Sequence, residues 1–535
     1  MPETNTNGRS ESKLDRWFSQ PYKPLGTAVM AYLIFAMCIC FFWAYGGMDN
    51  DSYYMIPQGQ EIVTSGIPEY NTFTYHGSKT IVQQWLYCIG MYFADQVPNN
   101  LGLLAFMLIQ ALLVFRLLEK YIRRATKDPF WSYLAATVIL LISCANYTAS
   151  LRPENITTIL LLFQCMVLDA YREKPDKKYL IALPVIMLAE ANLHISLWPA
   201  HACIYAAYFI PAMFPWIQEK LQAKFPKFPS ICPGLVEGDA MKPDPWLYGV
   251  SCLSVLTLFA NPYGLDGFLY LFKSVKVFSI ISMAEQLPPE LISTTSVIVA
   301  ASVIAIWLML KKHVIRSTEL CIAAGFLALA CFNHHNDMFL PLALMSIVRP
   351  ALRLLESKNP SKASDVMPNG VKSVLIIGLA VMACVTGVFT TNMVIEFKTM
   401  PGLDPVIEYV KENQTGNILN NMNAGPMLDY AGVRGLYGDT RPELLLNTIG
   451  QTDENPALVL GWLCTGVTPL EIKENYGSID AYLDTKNIQF IIDTKGSPVM
   501  TYLAGWLEGT DKWHRVDIEV PDDAEKRYEV WERAE

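Results

Sequence analysis

Residues 29–54 read VMAYLIFAMCICFFWAYGGMDNDSYY. An apolar run from Val29 to Trp43 ends in a short glycine step and passes at once into Asp49-Asn50-Asp51-Ser52-Tyr53-Tyr54. With its flanks, the run is near the length that crosses a bilayer, and carboxylates placed at its end mark a polar face beside lipid. Similar runs follow down the chain, anchored by Tyr133 to Cys144, Ile156 to Leu168, Val297 to Leu310 and Val374 to Phe389. A soluble protein with 52% apolar residues would not gather them into such stretches. The leader carries Arg9, Lys13, Arg16 and Lys23 but no small-residue cleavage site, so the first run is expected to stay as a membrane helix.

The charges are sorted. Through residue 392 there are 29 Lys and Arg against 26 Asp and Glu, and the remainder has 12 against 24. Every second gap between apolar runs is basic: Arg116 to Lys127, Arg172 to Lys178, Lys220 to Lys242, Lys311 to Arg316, and Arg349 to Lys372. The alternate gaps hold only Lys79, Arg152, Lys273 and Lys276. Basic loops stay in the cytoplasm, so this pattern predicts a cytoplasmic N-terminus and about eleven spans in the plasma membrane. The count requires that Ile81 to Val97 not cross. That segment contains Gln83, Gln84 and Asp95 and alternates polar and apolar faces, which suits an interfacial helix.

The expected organisation is a cytoplasmic segment over 1–24, a membrane domain over 25–394 with its first outer loop at 48–100, and an extracytoplasmic domain over 395–535. In the last, Pro405 to Glu412, Arg441 to Thr448 and Val499 to Leu507 read as helices. Asn417 to Leu419, Ile488 to Asp493, Val516 to Val520 and Tyr528 to Trp531 read as strands. Together they make a small, acidic α/β domain unsuited to nucleic acid. Only Cys464 of the 12 cysteines lies there, so no disulfide can form within it.

Each outward turn carries polar residues. Asp49 and Asp51, two apart, can hold a divalent cation such as Mg or Mn, or let one act as a base; a helix cap explains them equally well. Arg152, in Leu151-Arg152-Pro153-Glu154-Asn155, suits phosphate oxygens by its planar fork, or a structural ion pair. His194 ends Glu190-Ala191-Asn192-Leu193-His194, where packing is the commoner role. Asn261-Pro262-Tyr263-Gly264 is a turn leading into an amphipathic stretch with Lys273 and Lys276, then Glu285. Asn333-His334-His335-Asn336-Asp337 is a hairpin; adjacent histidines rarely bind one metal together. His76 is a further outside histidine.

These turns, in this order, resemble a bacterial family of polytopic proteins in the GT-C glycosyltransferase superfamily, mannosyltransferase-like in type. The resemblance rests on Asp49, Asp51, Tyr53, Gly59, Ile62, Pro68, Asn71, Phe73, Thr74 and Tyr75, then Trp85-Leu86. It continues through Arg152-Pro153, Asn192-Leu193-His194, Asn261-Pro262-Tyr263-Gly264, Glu285 with Pro288, and Gly438-Asp439-Thr440-Arg441 in the tail. The chain departs from the family at Gln83-Gln84, where His-Glu is usual, and at His334-His335, where an arginine-rich turn is usual.

The resemblance implies an inverting sugar transferase that takes its donor from a polyprenyl-phosphate sugar in the membrane lipid. The acceptor is an extracytoplasmic glycan, lipid or protein. It implies Asp49 as base, through the Asp-x-x-x-Tyr spacing to Tyr53, and Asp51 as its helper or a metal ligand. Arg152, with His194 and His335, then meets the donor phosphate, and Lys273 and Lys276 its headgroup. A transporter or flippase, and a non-catalytic envelope scaffold, are the alternatives that the residues leave open.

Overall fold

The computed structural model describes residues 48, 50–75, 77, 79–143, 150–226, 235, 244–278, 288–358, 378, 402–441, 476–497, 507–519 and 528–534. Apart from Gly378, Arg441 and Leu507, the expected spans over 25–47 and 374–389 and the tail helices expected at 441–448 and 499–507 lie outside these residues, as do Asp49, His76 and Glu285.

The membrane part is helical. In chain order come α1 (Asn50–Ser65), α2 (Trp85–Asp95), α3 (Leu101–Arg123), α4 (Pro129–Ser143), α5 (Glu154–Glu173) and α6 (Ala182–Leu193). They are followed by α7 (Trp198–Lys224), α8 (Pro245–Thr257), α9 (Gly264–Phe268), α10 (Tyr270–Phe278), α11 (Thr294–Lys311), α12 (Ser317–Phe332) and α13 (Leu340–Lys358). Among the described residues four stretches are long and apolar enough to cross a membrane: Pro98–Arg123, Ile195–Lys224, Thr294–Lys311 and His334–Ser357. Their burial separates lipid-facing from central helices. The apolar window of α11 is 17% buried and that of the stretch containing α13 is 67% buried. Val297, Val303, Ile304, Trp307 and Leu308 of α11 accordingly lie exposed, as a helix solvated by acyl chains requires.

α2 is too short to span: its 11 residues cover roughly 16 Å, about half a hydrocarbon core. It lies instead against α1. A Cβ on Gly59 would come within 2.0 Å of the Cys88 carbonyl oxygen, so glycine is what lets the two helices touch. Cys88 and Met91 of α2 are fully buried in the membrane-domain core.

The tail forms α14 (Leu403–Asn413), β1 (Asn417–Asn420), α15 (Gly425–Tyr430), α16 (Ile479–Thr485), β2 (Ile488–Thr494), β3 (Trp513–Val516) and β4 (Tyr528–Arg533). The sheet order is β1-β2-β4-β3, with β1 parallel to β2 and the other pairs antiparallel. β2 is buried on both faces. Phe490 and Ile492 join the cluster under α14, while Ile488 and Ile491 join Trp513 and Trp531 on the other side. The strand expected at Val516 to Val520 lies earlier, at Trp513–Val516, because buried Trp513 pairs with Arg533 and carries the register. Beyond β1 the sheet edge is not open. Leu436 bridges Ile418, and Thr74 of the first outer loop bridges Leu436. The loop thereby covers an edge that would otherwise present unpaired backbone groups.

Candidate active site

α1 begins at Asn50, the residue after Asp49. Its Ser52 hydroxyl donates to the Leu151 carbonyl at 3.1 Å, and Asp51 Oδ2 lies 3.2 Å from Arg152 Nη2. Arg152 is largely buried, so a charge partner is obligatory. Pro153 then enters α5 with the φ a helix start requires, and Glu154 follows in the first turn, where a carboxylate complements the helix dipole. The first outer loop and the start of α5 are therefore held together by a hydrogen bond and an ion pair 99 or more residues apart in sequence.

The other turns gather on the same two elements. His335 Nε2 is 3.7 Å from Glu154 Oε1. His334 faces Asp337 at 3.7 Å, and Asp337 accepts from Thr295 at 2.7 Å. The adjacent histidines thus meet different carboxylates. His194 Nδ1 is 3.0 Å from Thr157 Oγ1, one turn along α5 from Glu154, and Thr157 donates to Glu190 at 2.9 Å. Trp85 Nε1 donates to Asn192 at 3.1 Å, Ile195 N donates to the Gln83 carbonyl at 3.2 Å, and Gln84 donates to the Tyr54 hydroxyl at 3.0 Å. Asn192 also donates to the Ala260 carbonyl at 3.0 Å, and Tyr263 to that of Pro68 at 3.2 Å.

The basic stretch behaves differently. Lys273 pairs with Asp266 at 2.6 Å, and Lys79 approaches the same carboxylate at 3.7 Å. The hydrogen bond from Lys273 holds Asp266 below the usual carboxylate range. Lys276 lies on α10, but its side chain is outside the described residues.

The tail reaches the loop through Arg441. It forks onto Asp439, with Nε 2.9 and 2.7 Å from the two carboxylate oxygens, and its Nη2 lies 3.2 Å from Asp429. Nη1 donates to Gln58 of α1 at 2.7 Å, and the guanidinium lies over the Tyr54 and Phe73 rings. Tyr53, expected beside Asp49, has its ring 5.4 Å from Tyr430, whose hydroxyl donates to Asp95 at 3.1 Å. Burial, then the charge on Asp439, pushes Asp429 well above the ordinary carboxylate range. Two buried acids on one guanidinium are thus best balanced when Asp429 keeps its proton.

No protein-family model and no curated protein matches this sequence. Solved structures do. The oligosaccharyltransferase of Archaeoglobus fulgidus, crystallised with a tethered acceptor peptide containing an NVT sequon, aligns at a TM-score of 0.54 and 12% identity. That alignment covers 90% of this chain and 70% of the other. ArnT from Cupriavidus metallidurans, bound to undecaprenyl phosphate, aligns at 0.52 and 13% identity over 95% and 98%. The chain has the GT-C fold.

At the far ends of the GT-C helices lies a second polar cluster. Asp169 of α5 is 3.1 Å from Arg349, 2.8 Å from Arg172 and 2.7 Å from the Tyr208 hydroxyl. Glu319 pairs with Arg353 and lies 3.8 Å from Arg349, whose guanidinium covers the Tyr121 ring. These acids and arginines join α5, α12 and α13 as buried ion pairs. They belong to the basic ends of the bundle, away from Arg152. Sequence reasoning passed over Thr157, His201, Gln58 and Asp429. The spacing of Glu154 and Thr157, three apart on one helix face, was the one available signal.

Proposed function

We propose that this chain is a membrane glycosyltransferase that moves a sugar from a polyprenyl-phosphate carrier to an extracytoplasmic acceptor. The observation that carries it is the Asp51–Arg152 pair at the start of α5, with Glu154 and His335 beside it. A lipid-linked donor lies in the bilayer, so its enzyme must be embedded there. The departing phosphate gains charge, and a buried guanidinium is matched to it. The acceptor hydroxyl is a poor nucleophile and needs a base. With Asp51 engaged by Arg152, Asp49 is the proposed base and Asp51 the group that holds the arginine in place until phosphate arrives. If a divalent ion takes part, these two carboxylates would hold it; Arg152, 3.2 Å from Asp51, competes for the same oxygen. ArnT and the oligosaccharyltransferase support the reading through a shared fold, and through a bound polyprenyl phosphate in the first and an acceptor peptide in the second.

A flippase would carry substrate past charges at mid-span, whereas among the described residues the charged groups named above gather around the start of α5 and around Asp169. Purified protein in nanodiscs, given a radiolabelled undecaprenyl-phosphate sugar, tests the assignment. Asp49→Asn is expected to lower transfer by about 10²- to 10⁴-fold, the contribution of general-base catalysis. Transfer at the wild-type rate would remove Asp49 from the mechanism. Binding of the lipid without transfer to any acceptor would favour a scaffold.

The proposed orientation has its own check. A reporter active only outside the cytoplasm should give signal when fused after Asn392 and none after Lys312. The opposite pattern would invert the membrane topology.

A further inference from the structure

The proton positions around His194 are fixed by its neighbours. Thr157 has one hydroxyl hydrogen and gives it to Glu190 Oε1 at 2.9 Å. Its 3.0 Å contact with His194 Nδ1 must then be an Nδ1–H donated to the Thr157 oxygen. A neutral imidazole has one such hydrogen, so Nε2 is left as an acceptor.

The chain is anchored one step deeper. Gln164 Nε2 donates to the His201 carbonyl at 3.3 Å, which orients the amide, and its Oε1 takes Nδ1–H of His201 at 2.7 Å. His201 Nε2 lies 3.4 Å from Glu190 Oε2, both side chains with no exposure. Two bare lone pairs there would repel, so a proton lies between them. Glu190 Oε1 stays an acceptor for Thr157 in either case. The remaining charged neighbours of His194 are Glu154 and His335.

Two more acceptors stand nearby. Glu154 Oε2 and Gln83 Oε1 are buried and make no hydrogen bond among the described residues. Glu154 is one turn from Thr157, and Gln83 is held beside His194 by the Ile195 N–H. Buried acceptors without donors call for donors from a ligand.

We infer that Gln83, Glu154 and His194 form a sugar subsite that recognises hydroxyl hydrogens, two residues along α5 from the arginine that takes the phosphate. This rests on the transferase proposal and specifies its substrate. It also reassigns His194, expected at the phosphate: a bare Nε2 would face oxygen lone pairs there, whereas against a sugar it accepts O–H. The subsite takes a neutral pyranose and disfavours a uronic sugar, whose carboxylate would set acceptor against acceptor. Thr157 and Glu190 are positioning residues that act through His194.

The test uses the full chain in nanodiscs and three probes: undecaprenyl phosphate alone, and the same lipid linked to a neutral hexose or to a hexuronic acid. Wild type should bind the hexose-linked lipid at least tenfold more tightly than the bare lipid, and the uronic lipid no more tightly than the bare one. Glu154→Leu and Thr157→Val should each bind the hexose-linked lipid no more tightly than the bare lipid, while Thr157→Ser should keep the increment; binding of the bare lipid by a variant shows that it folds. An unchanged increment in both variants, or preference for the uronic lipid, overturns the subsite. Failure of wild type to bind any of the three lipids overturns the transferase proposal itself. A ¹⁵N-histidine spectrum of wild type, with His194 assigned by difference against His194→Gln, should show an unprotonated Nε2. A protonated Nε2 there overturns the inference.

Discussion

Arg152→Ala is expected to lower transfer from an undecaprenyl-phosphate sugar by about 10²- to 10³-fold, as loss of one preorganised charge at a reacting oxygen does. Three facts set that size. The side chain is buried, so water does not substitute for it. The guanidinium sits at the start of α5, whose dipole also favours an anion. Its counter-ion Asp51 lies on a different element, so phosphate can displace the carboxylate without unfolding α5. Arg152→Lys should recover only part of the loss, because an ammonium lacks the planar fork that meets two oxygens. Asp51→Asn should act in the opposite sense on binding. It removes one carboxylate that competes for the arginine, so undecaprenyl phosphate should bind more tightly while turnover falls. A transfer assay and a lipid-binding isotherm on the three variants check this. Equal loss of binding in Asp51→Asn and Arg152→Ala would contradict the exchange.

Asp439→Asn is expected to release the tail from the first outer loop at a cost of about 3–5 kcal/mol, since it strips a buried arginine of its main partner. Arg441 is 1% exposed as a side chain, so water cannot replace the lost carboxylate. Asp429→Asn should change stability far less. Burial and Asp439 keep Asp429 protonated, and an amide is a close copy of a carboxylic acid. A folded pKa raised above the unfolded value stabilises fully below the unfolded pKa, and the contribution is lost as pH rises through the folded one. The docked tail should therefore loosen on the alkaline side of the ordinary carboxylate range, and Asp429→Asn should abolish that loosening. Limited proteolysis of the purified protein across pH reads both effects. Identical behaviour of the two variants would show that the acids share the arginine equally.

Much of the architecture was legible because the bilayer imposes length on apolar runs and sorts cations by side. Gln83, Gln84 and Asp95 were enough to keep α2 out of the spanning set, and its 11 residues confirm it. The basic gaps were legible as an orientation signal but not as structure. Arg349 and Arg353 read as loop cations, whereas they are balanced by Asp169 and Glu319 on other helices, a pairing with no local period to reveal it. Gln58 and Arg441 meet across 383 residues, and Glu190 meets His201 across a helix break, so neither contact leaves a mark in a window of sequence. Lys273 looked available for a headgroup, but Asp266, seven residues earlier on the same surface, engages it. Polar residue types picked out turns that the structure brings together; only packing decides which atoms face each other.

A map of the protein in nanodiscs with undecaprenyl phosphate tests the central claim most directly. The phosphate should lie within hydrogen-bond reach of the Arg152 guanidinium, on the side of the bundle that holds Asp51, Glu154 and His335. A phosphate bound instead at the Asp169–Arg349 end, or away from Arg152 altogether, would contradict the account.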